Sequence, residues 1–207
     1  VEITGIIDTR SDCQKTPPTG VPCVLGGHVV DSKGRLGLSS ILINDGTRIP
    51  ADCLAVSGGW SPNVHLTCHH RGRPIWNDKI AGFVPGHTLP AGMIVTGAAS
   101  GTMGLASCLK GGILAGQRAV RDLGVKPTKT KVPSASDESF AIQPFWHVKD
   151  SINNAFVDFQ HDVGVKDIQL AHREGFRSVE HLKRYSTLGM ATDQGKIANI
   201  PGLAILA

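Results

Sequence analysis

Three short apolar runs along the chain predict strands of an α/β domain. Residues 2–8 are rich in β-branched residues and end in an acidic side chain. Residues 52–59 and 92–96 are compact and apolar without polar alternation, which is typical of strands buried on both faces of a sheet. The runs therefore predict part of a buried, mainly parallel sheet.

A long helix is predicted directly after the third run. Residues 97–101 are all small, and a largely apolar stretch continues from them to Leu123. Gly124 and Pro127 then follow, as is typical of a helix end. We expect the small residues to form the first turn of this helix.

A hairpin is predicted between the first two runs. Apolar residues from 24 to 43 flank the polar stretch 31–34, in which Gly34 takes the position that requires positive φ. Asp45 and Gly46 predict a second turn.

The chain changes character in its second half. Residues 126–137 are polar and contain two prolines, which is typical of a linker. Beyond them, Val165, Ile168 and Ala171 recur on one face of a predicted helix, and Ser178 is placed to cap the next helix. This part of the chain is therefore predicted to be a small helical module.

Composition narrows the classes of function. The chain has 25 glycines and one tyrosine, which favours close approach of the backbone to a ligand or to another segment. The net charge of +4 is mild and evenly spread, which argues against nucleic acid or an anionic membrane as partners. Residues 93–116 are apolar, but Lys110 and several glycines interrupt them, so we expect no membrane span.

The cysteines argue against a zinc ribbon, a redox pair or a disulfide scaffold. None lies in a C-x-x-C pair and their number is odd, so we expect a cytoplasmic protein. No secretory leader opens the chain, and its start at Val1 suggests a truncated product. The cysteines are Cys13, Cys23, Cys53, Cys68 and Cys108.

The small residues at 97–101 are the strongest candidate for ligand binding. The unpaired N–H groups and the dipole of a helix N-terminus favour an anion, and small side chains would let a pyrophosphate reach the amides. Close packing of helix and sheet explains the same residues equally well. The residues concerned are Gly97, Ala98, Ala99, Ser100 and Gly101.

Two further places fit a nucleotide site. Asp8 and Arg10 follow a predicted strand, where an acidic residue binds ribose in dinucleotide-binding folds, although a solvated strand end is an alternative. Gly58 and Gly59 end the second apolar run, where ligands bind in open sheets, although a tight turn explains them too.

No catalytic or metal site is predicted. Cys68, His69 and His70 are adjacent, so their side chains point in different directions, and no second pair lies at ligand spacing. A Ser/His/Asp nucleophile elbow is also absent from the sequence.

Three motifs resemble the alpha subunit of sarcosine oxidase. They are LAVSGGWSPNVHL at 54–66, VTGAASGTMGL at 95–105, and the pattern EGF-R-S-VEH-KRY-T-GM-TDQGK within 157–196. The resemblance covers most of the chain and is weakest from 13 to 53 and across the linker. His161 and Gly164 depart from the third motif.

The resemblance implies a fold, a division into domains and an activity. The fold is α/β, a partial Rossmann-like FAD/NAD-binding domain of the disulfide-reductase type, followed by a small all-α module. Residues 1–125 would be the C-terminal part of the nucleotide domain, 126–145 a linker, and 146–207 the module leading towards a missing folate-binding domain. The enzyme would be a cytoplasmic heterotetramer that demethylates sarcosine to glycine, with formaldehyde or 5,10-methylenetetrahydrofolate and hydrogen peroxide as further products.

The resemblance also implies cofactors and partners. NAD would bind the alpha subunit, FMN would lie at the interface with the beta subunit, FAD would lie in the beta subunit, and tetrahydrofolate would bind the missing domain. The partners would be the beta, gamma and delta subunits. The chain itself would hold a dinucleotide and wall the interfacial flavin, and the isolated piece would be inactive and prone to aggregate.

The loop near the end of the third motif is expected to lie beside the FMN. A lysine there would stabilise negative charge on a reduced flavin, although a solvated lysine is an alternative reading. Ala98 stands where related enzymes carry an acidic residue that holds a ribityl or ribose hydroxyl, which argues against a flavin at that turn. The implied loop residues are Thr187, Gly189, Met190, Thr192, Gln194 and Lys196.

Two alternatives remain from the sequence. The first is a subunit of a related amine, opine or proline dehydrogenase. The helical module of such proteins often binds a [2Fe-2S] cluster, which this chain could not hold because no cysteine follows Cys108. The second is a non-catalytic scaffold with a decayed nucleotide pocket.

Overall fold

The computed structural model describes residues 1–12 and 17–207, so Cys13 lies outside the described residues. Internal contacts divide the chain into two compact units. Residues 1–57 and 145–207 form the first unit, and residues 58–144 form the second.

The first segment of unit one contains two small sheets. Strands β1 (Ile6–Asp8) and β2 (Cys23–Leu25) pair in parallel. Strands β3 (Val29–Lys33), β4 (Ser40–Ile43) and β5 (Arg48–Pro50) form an antiparallel meander, with the side chains of Ile41 and Ile43 buried. The acidic strand end predicted at Asp8 is confirmed.

The predicted hairpin exists, but its turn lies further along the chain than expected. Residues 31–33 belong to β3, and the reversal occupies 34–39. Gly34 has a positive φ of +159°, as predicted, and a Cβ there would also lie 1.7 Å from the carbonyl oxygen of Gly37. The second predicted turn is confirmed, since Gly46 has φ +89° and Asp45 accepts a hydrogen bond from the amide of Thr47.

Unit two contains a hairpin and one long helix. Strands β6 (Ile75–Asn77) and β7 (Gly82–Val84) are antiparallel, and helix α1 spans Leu105–Asp122. Gly124 has φ +77°, as expected beyond a helix end. The predicted start of the helix is wrong, because residues 97–100 form a separate 3₁₀ turn and α1 begins eight residues after Gly97.

The two buried strands predicted at 52–59 and 92–96 are also wrong. Neither segment is a strand, and the Val56 side chain is 84% exposed. An apolar run becomes a strand only where a neighbouring strand pairs with its backbone, and no strand among the described residues pairs with these two. Composition alone could not reveal this.

The second segment of unit one is a helical module with a small hairpin. It contains β8 (Phe156–Asp158), β9 (Val163–Gly164), α2 (Val165–Arg173), α3 (Val179–Ser186) and α4 (Asn199–Leu206). The predicted helix face is confirmed, since the side chains of Val165, Ile168 and Ala171 are buried with Leu182 and Leu188 in one core. Ser178 caps α3 by accepting a hydrogen bond from the amide of His181.

The segments of unit one are held together by polar contacts. Nε2 of His28 lies 3.0 Å from the carboxylate of Asp150, and the Asn153 amide donates to Asp31 at 2.7 Å. These contacts join the meander to the chain that leads into the module. The division of the chain into residues 1–125, 126–145 and 146–207, which was expected from the sequence, stays a prediction.

Replacing Ile168 tests the module core. Ile168→Ala removes a fully buried side chain, so we expect the free energy of unfolding to fall by about 2–5 kcal/mol. Gln169→Ala, at an exposed position on the same helix, is the control and should change it by less than about 0.5 kcal/mol. Denaturant unfolding measures both, and equal effects would contradict the core described here.

Candidate functional site

The buried carboxylate of Asp158 joins two loops of the module. Asp158 ends β8 and is only 3% exposed. Its Oδ1 accepts hydrogen bonds from the backbone N–H groups of Gln160 at 2.9 Å and His161 at 3.4 Å. Its Oδ2 accepts a hydrogen bond from the N–H of Gly189 at 2.8 Å. One side chain thus fixes the turn after β8 against the loop after α3.

Asp158 stays ionised because its hydrogen bonds outweigh its burial. Burial by itself raises the pKa of a carboxyl group, whereas N–H donors stabilise the charged form. The backbone N–H groups of Gly189, Gln160 and His161 prevail, so that the pKa of Asp158 lies below its ordinary value of 3.8. The contact is therefore a charge-assisted one at neutral pH.

Asn199 explains the two glycines of the loop after α3. Gly189 and Gly195 have φ of +68° and +73°. A Cβ at either position would lie 2.2 Å from Oδ1 of Asn199, so larger residues would drive the Asn199 side chain out. The Asn199 amide thus packs between both glycines and closes the loop onto the start of α4.

Three residues other than glycine adopt left-handed backbone conformations around these loops. Asp162, Thr187 and Gln194 have φ of +53°, +63° and +53°. A β-branched residue such as Thr187 is especially disfavoured there. Strained conformations persist where the surrounding structure holds them, and they cluster at binding sites.

A shallow hollow of about 450 Å³, wide open to solvent, lies between the two loops. Its lining offers amide, hydroxyl, thioether and imidazole groups. Thr192 donates through Oγ1 to Oε1 of Gln160 at 2.7 Å, which leaves the Gln160 NH₂ group to meet a ligand. Gln194 donates to the carbonyl of Ala191 at 2.9 Å, which leaves its Oε1 as an acceptor. The lining residues are Gln160, His161, Met190, Ala191, Thr192 and Gln194.

The predicted loop residues divide into two groups around this hollow. Met190, Thr192 and Gln194 line it, whereas Thr187 and Gly189 shape the loop behind them. Lys196 is exposed and does not line it. Sequence reasoning missed Gln160, His161 and Ala191; the first two lie in the segment 157–196 that contains the third motif, but ahead of the motif's first matching residues.

Asp8 and Arg10 lie together at the end of β1. The Arg10 guanidinium donates to both carboxylate oxygens of Asp8, at 2.9 Å from Nε and 2.6 Å from Nη2. A carboxylate can accept further hydrogen bonds beside a bidentate arginine, so ribose binding here remains a prediction.

The small residues at 97–101 form a turn that is held by hydrogen bonds between its own residues. The N–H of Gly101 donates to the carbonyl of Ala98, and the Ser100 hydroxyl donates to the carbonyl of Gly97 at 2.8 Å. A Cβ at Gly101 would lie 2.7 Å from Cγ1 of Val84, so close packing also requires a glycine there. The explanation that these residues are small because the backbone packs closely therefore has direct support.

A carboxylate occupies the N-terminus of α1. Asp137 accepts hydrogen bonds from the N–H of Ser107 at 3.0 Å and from the Ser107 hydroxyl. These bonds, the hydroxyl's first, hold the pKa of Asp137 below its ordinary value. A phosphate at this helix end would have to displace Asp137.

The other residues predicted to bind a ligand do not form a binding site in the described part of the chain. Gly58 and Gly59 follow no strand in the described chain, and Gly59 packs against Ile142 instead. Within residues 1–12 and 17–207, no three His, Cys, Asp or Glu side chains are grouped as metal ligands. None of the helices in the same residues combines the length and apolar character that a membrane crossing needs.

Comparison with a solved structure defines the class of fold. The crystal structure of L-proline dehydrogenase from P. horikoshii matches 90% of this chain and 40% of its own, with a TM-score of 0.67 and 17% sequence identity. The likeness confirms the predicted class, an α/β fold followed by a helical module. The module differs from the all-α expectation by its β8–β9 hairpin.

Comparison of sequences defines the family. The chain is 39% identical over 218 residues to sarcosine oxidase subunit alpha of Rhizobium meliloti (strain 1021), and 30% identical over 227 residues to that of Corynebacterium sp. (strain P-1). Residues 152–207 match the model of the sarcosine oxidase A3 domain. The chain belongs to the sarcosine oxidase alpha-subunit family. It spans 21% and 23% of the length of these two relatives.

Replacing Asp158 tests the contact that joins the loops. Asp158→Asn loses the charge and presents an NH₂ group to backbone donors, so we expect the free energy of unfolding to fall by about 3 kcal/mol at pH 7. A depressed pKa stabilises the fold above pH 3.8 and ceases to do so as pH falls through the folded-state value. The difference between wild type and variant should therefore shrink below about pH 4. Asp162→Asn, at an exposed neighbour, is the control; an equal loss there would contradict the assignment.

Replacing Thr187 tests the strained loop. Thr187→Gly relieves a left-handed β-branched residue, so we expect it to raise the free energy of unfolding by about 1 kcal/mol. Thr187→Val keeps the branched Cβ and loses only the hydroxyl, and should give no gain. Thermal unfolding of both variants checks this. If Thr187→Val stabilised the protein and Thr187→Gly did not, the left-handed φ of Thr187 would not be the cause.

Proposed function

We propose that this chain forms one side of a flavin-binding site within an amine-oxidising enzyme of the sarcosine oxidase type. The observation that carries the proposal is the hollow in which Met190, Thr192 and Gln194 meet Gln160 and His161. These residues come from two separate stretches of the chain, the turn after β8 and the loop after α3. Their convergence on one shallow, open surface supports a site at which this chain covers one side of a cofactor.

The lining fits the ring system of FMN. Met190 is 52% exposed, and an aromatic ring lying on its thioether would cover apolar surface that water now meets. The Gln160 NH₂ group and the Gln194 Oε1 are a donor and an acceptor, which suit the mixed carbonyl and N–H edge of an isoalloxazine. When bound, the flavin supplies electron transfer, and the residues of this chain bind and orient it.

The proposed enzyme oxidises sarcosine to glycine. It gives formaldehyde or 5,10-methylenetetrahydrofolate, and hydrogen peroxide from oxygen, in a cytoplasmic assembly with beta, gamma and delta subunits. FMN lies between this chain and the beta subunit, FAD lies in the beta subunit, and tetrahydrofolate binds a further domain of the alpha subunit. We propose no residue of this chain as the general base that takes a proton from the substrate.

NAD is proposed as the ligand of the nucleotide domain. Its support is the family resemblance and the position of Asp8 with Arg10 at a strand end. The nucleotide contacts expected of residues 97–101 and of Gly58 and Gly59 stay predictions from the sequence. Asp137 argues against a phosphate on α1 itself, because its carboxylate already holds Ser107 there.

Flavin retention in the natural protein that carries this chain tests the proposal. We expect Met190→Asp to place a charge under the ring and to lower the FMN retained per protein at least tenfold, with loss of sarcosine-dependent peroxide formation. Glu180→Gln, at an exposed position on α3, is the matched control and should keep both.

Two results would overturn the proposal. Full FMN retention by Met190→Asp would show that the ring does not lie in the hollow. A wild-type protein that oxidises L-proline and not sarcosine or dimethylglycine would favour the related dehydrogenases instead.

A further inference from the structure

The segment that follows α1 lies back along that helix. Residues 126–144 contain no helix or strand and belong to unit two. Gln117, in the second half of α1, donates through Nε2 to the carbonyl oxygen of Thr128 at 3.4 Å. Asp137 accepts a hydrogen bond from the N–H of Ser107, in the first turn of α1, at 3.0 Å. The segment therefore returns from the C-terminal half of α1 to its first turn, and we call residues 126–144 the strap.

The strap depends on side-chain contacts for its position. It is polar and contains three prolines, which lack a backbone N–H and so cannot donate to a helix or a sheet. Near its far end, Ile142 packs against Gly59, where a Cβ would lie 2.9 Å from Cδ1 of Ile142. Between these ends the position of the strap is set by Asp137.

Asp137 is bound to α1 through both of its carboxylate oxygens. Oδ1 accepts the backbone N–H of Ser107, and Oδ2 accepts the hydroxyl of the same residue. Gly104 leaves the space that this contact needs, because a Cβ at Gly104 would collide with the Asp137 carboxylate. A negative charge at this place is also favoured by the dipole of α1.

The first turn of α1 lacks a cap of its own. The first N–H groups of a helix have no partner within the helix and need one from elsewhere. Gly104 is the N-cap residue and has no side chain with which to accept a hydrogen bond from the first turn, which also contains no acidic residue. Asp137 thus supplies, from 30 positions further along the chain, the acceptor that the local sequence does not provide.

We propose that the strap is a releasable element of the fold, closed by the capping of α1 by Asp137, so that opening of the strap and fraying of the first turn of α1 occur together. Each side of the contact stabilises the other. The carboxylate holds the strap on the helix, and the strap supplies the carboxylate to the helix. The inference concerns unit two and does not depend on the proposed flavin site.

Limited proteolysis of the natural protein that carries this chain tests the closed state. Trypsin cleaves after Lys129 and Lys131, which are exposed on the strap, and mass spectrometry identifies the two bonds. Cleavage under native conditions follows the population of the open strap. Because Asp137→Asn loses the charge-assisted acceptor, we expect cleavage at these bonds to become about fivefold faster.

Gly104→Ala tests the same contact without changing any charge. Its methyl group would expel the Asp137 carboxylate, so we expect cleavage to accelerate as in Asp137→Asn. The double variant should be cleaved no faster than either single variant, because both changes remove one contact. Gly112→Ala, on the same helix, is the matched control; no atom lies within 4 Å of the added Cβ, and the wild-type rate is expected.

Hydrogen exchange of the same proteins tests the coupling to α1. Amide exchange in the first turn of α1 should become faster in Asp137→Asn and in Gly104→Ala, and should stay unchanged in Gly112→Ala. Circular dichroism checks that each variant remains folded.

Three outcomes would reject the inference. Equal cleavage of wild type and both variants, or no cleavage of any of them, would show that Asp137 does not hold the strap. Additive acceleration in the double variant would show that Gly104 and Asp137 do not act through one contact. Faster cleavage with unchanged amide exchange in the first turn of α1 would show that the strap opens without uncapping the helix.

Discussion

The ionised carboxylate of Asp158 is the interaction on which the rest of the site depends. It is buried, and it accepts hydrogen bonds from the turn after β8 and from the loop after α3. A buried charge is tolerated only where donors surround it, so both loops must keep their backbone N–H groups directed at one point. That requirement, together with the packing of Asn199 between Gly189 and Gly195, gives the hollow its two walls.

Sequence patterns predicted the helical module well and the sheet poorly. The face of Val165, Ile168 and Ala171 was predictable because a helix satisfies its own backbone and periodicity then reveals its buried side. The run at 52–59 was not, because a strand depends on a partner elsewhere in the protein. The start of α1 was misplaced because small residues are compatible with both a 3₁₀ turn and a helix.

The site was partly predictable for a similar reason. The motif identified the loop of Met190, Thr192 and Gln194. Gln160 and His161 meet that loop through the contact of Asp158 with Gly189, which lies 31 positions away in the sequence. Asp137 was also unpredictable as the residue at the N-terminus of α1, since 30 positions separate it from Ser107. Local patterns carry no information on such contacts.

A structure of the flavin-loaded natural assembly tests the central claim most directly. The account predicts the flavin ring against the Met190 thioether, with the Gln160 amide and the His161 imidazole within hydrogen-bond distance of FMN. An FMN bound away from the two loops joined by Asp158, or a hollow filled by a protein side chain of another subunit, would contradict it.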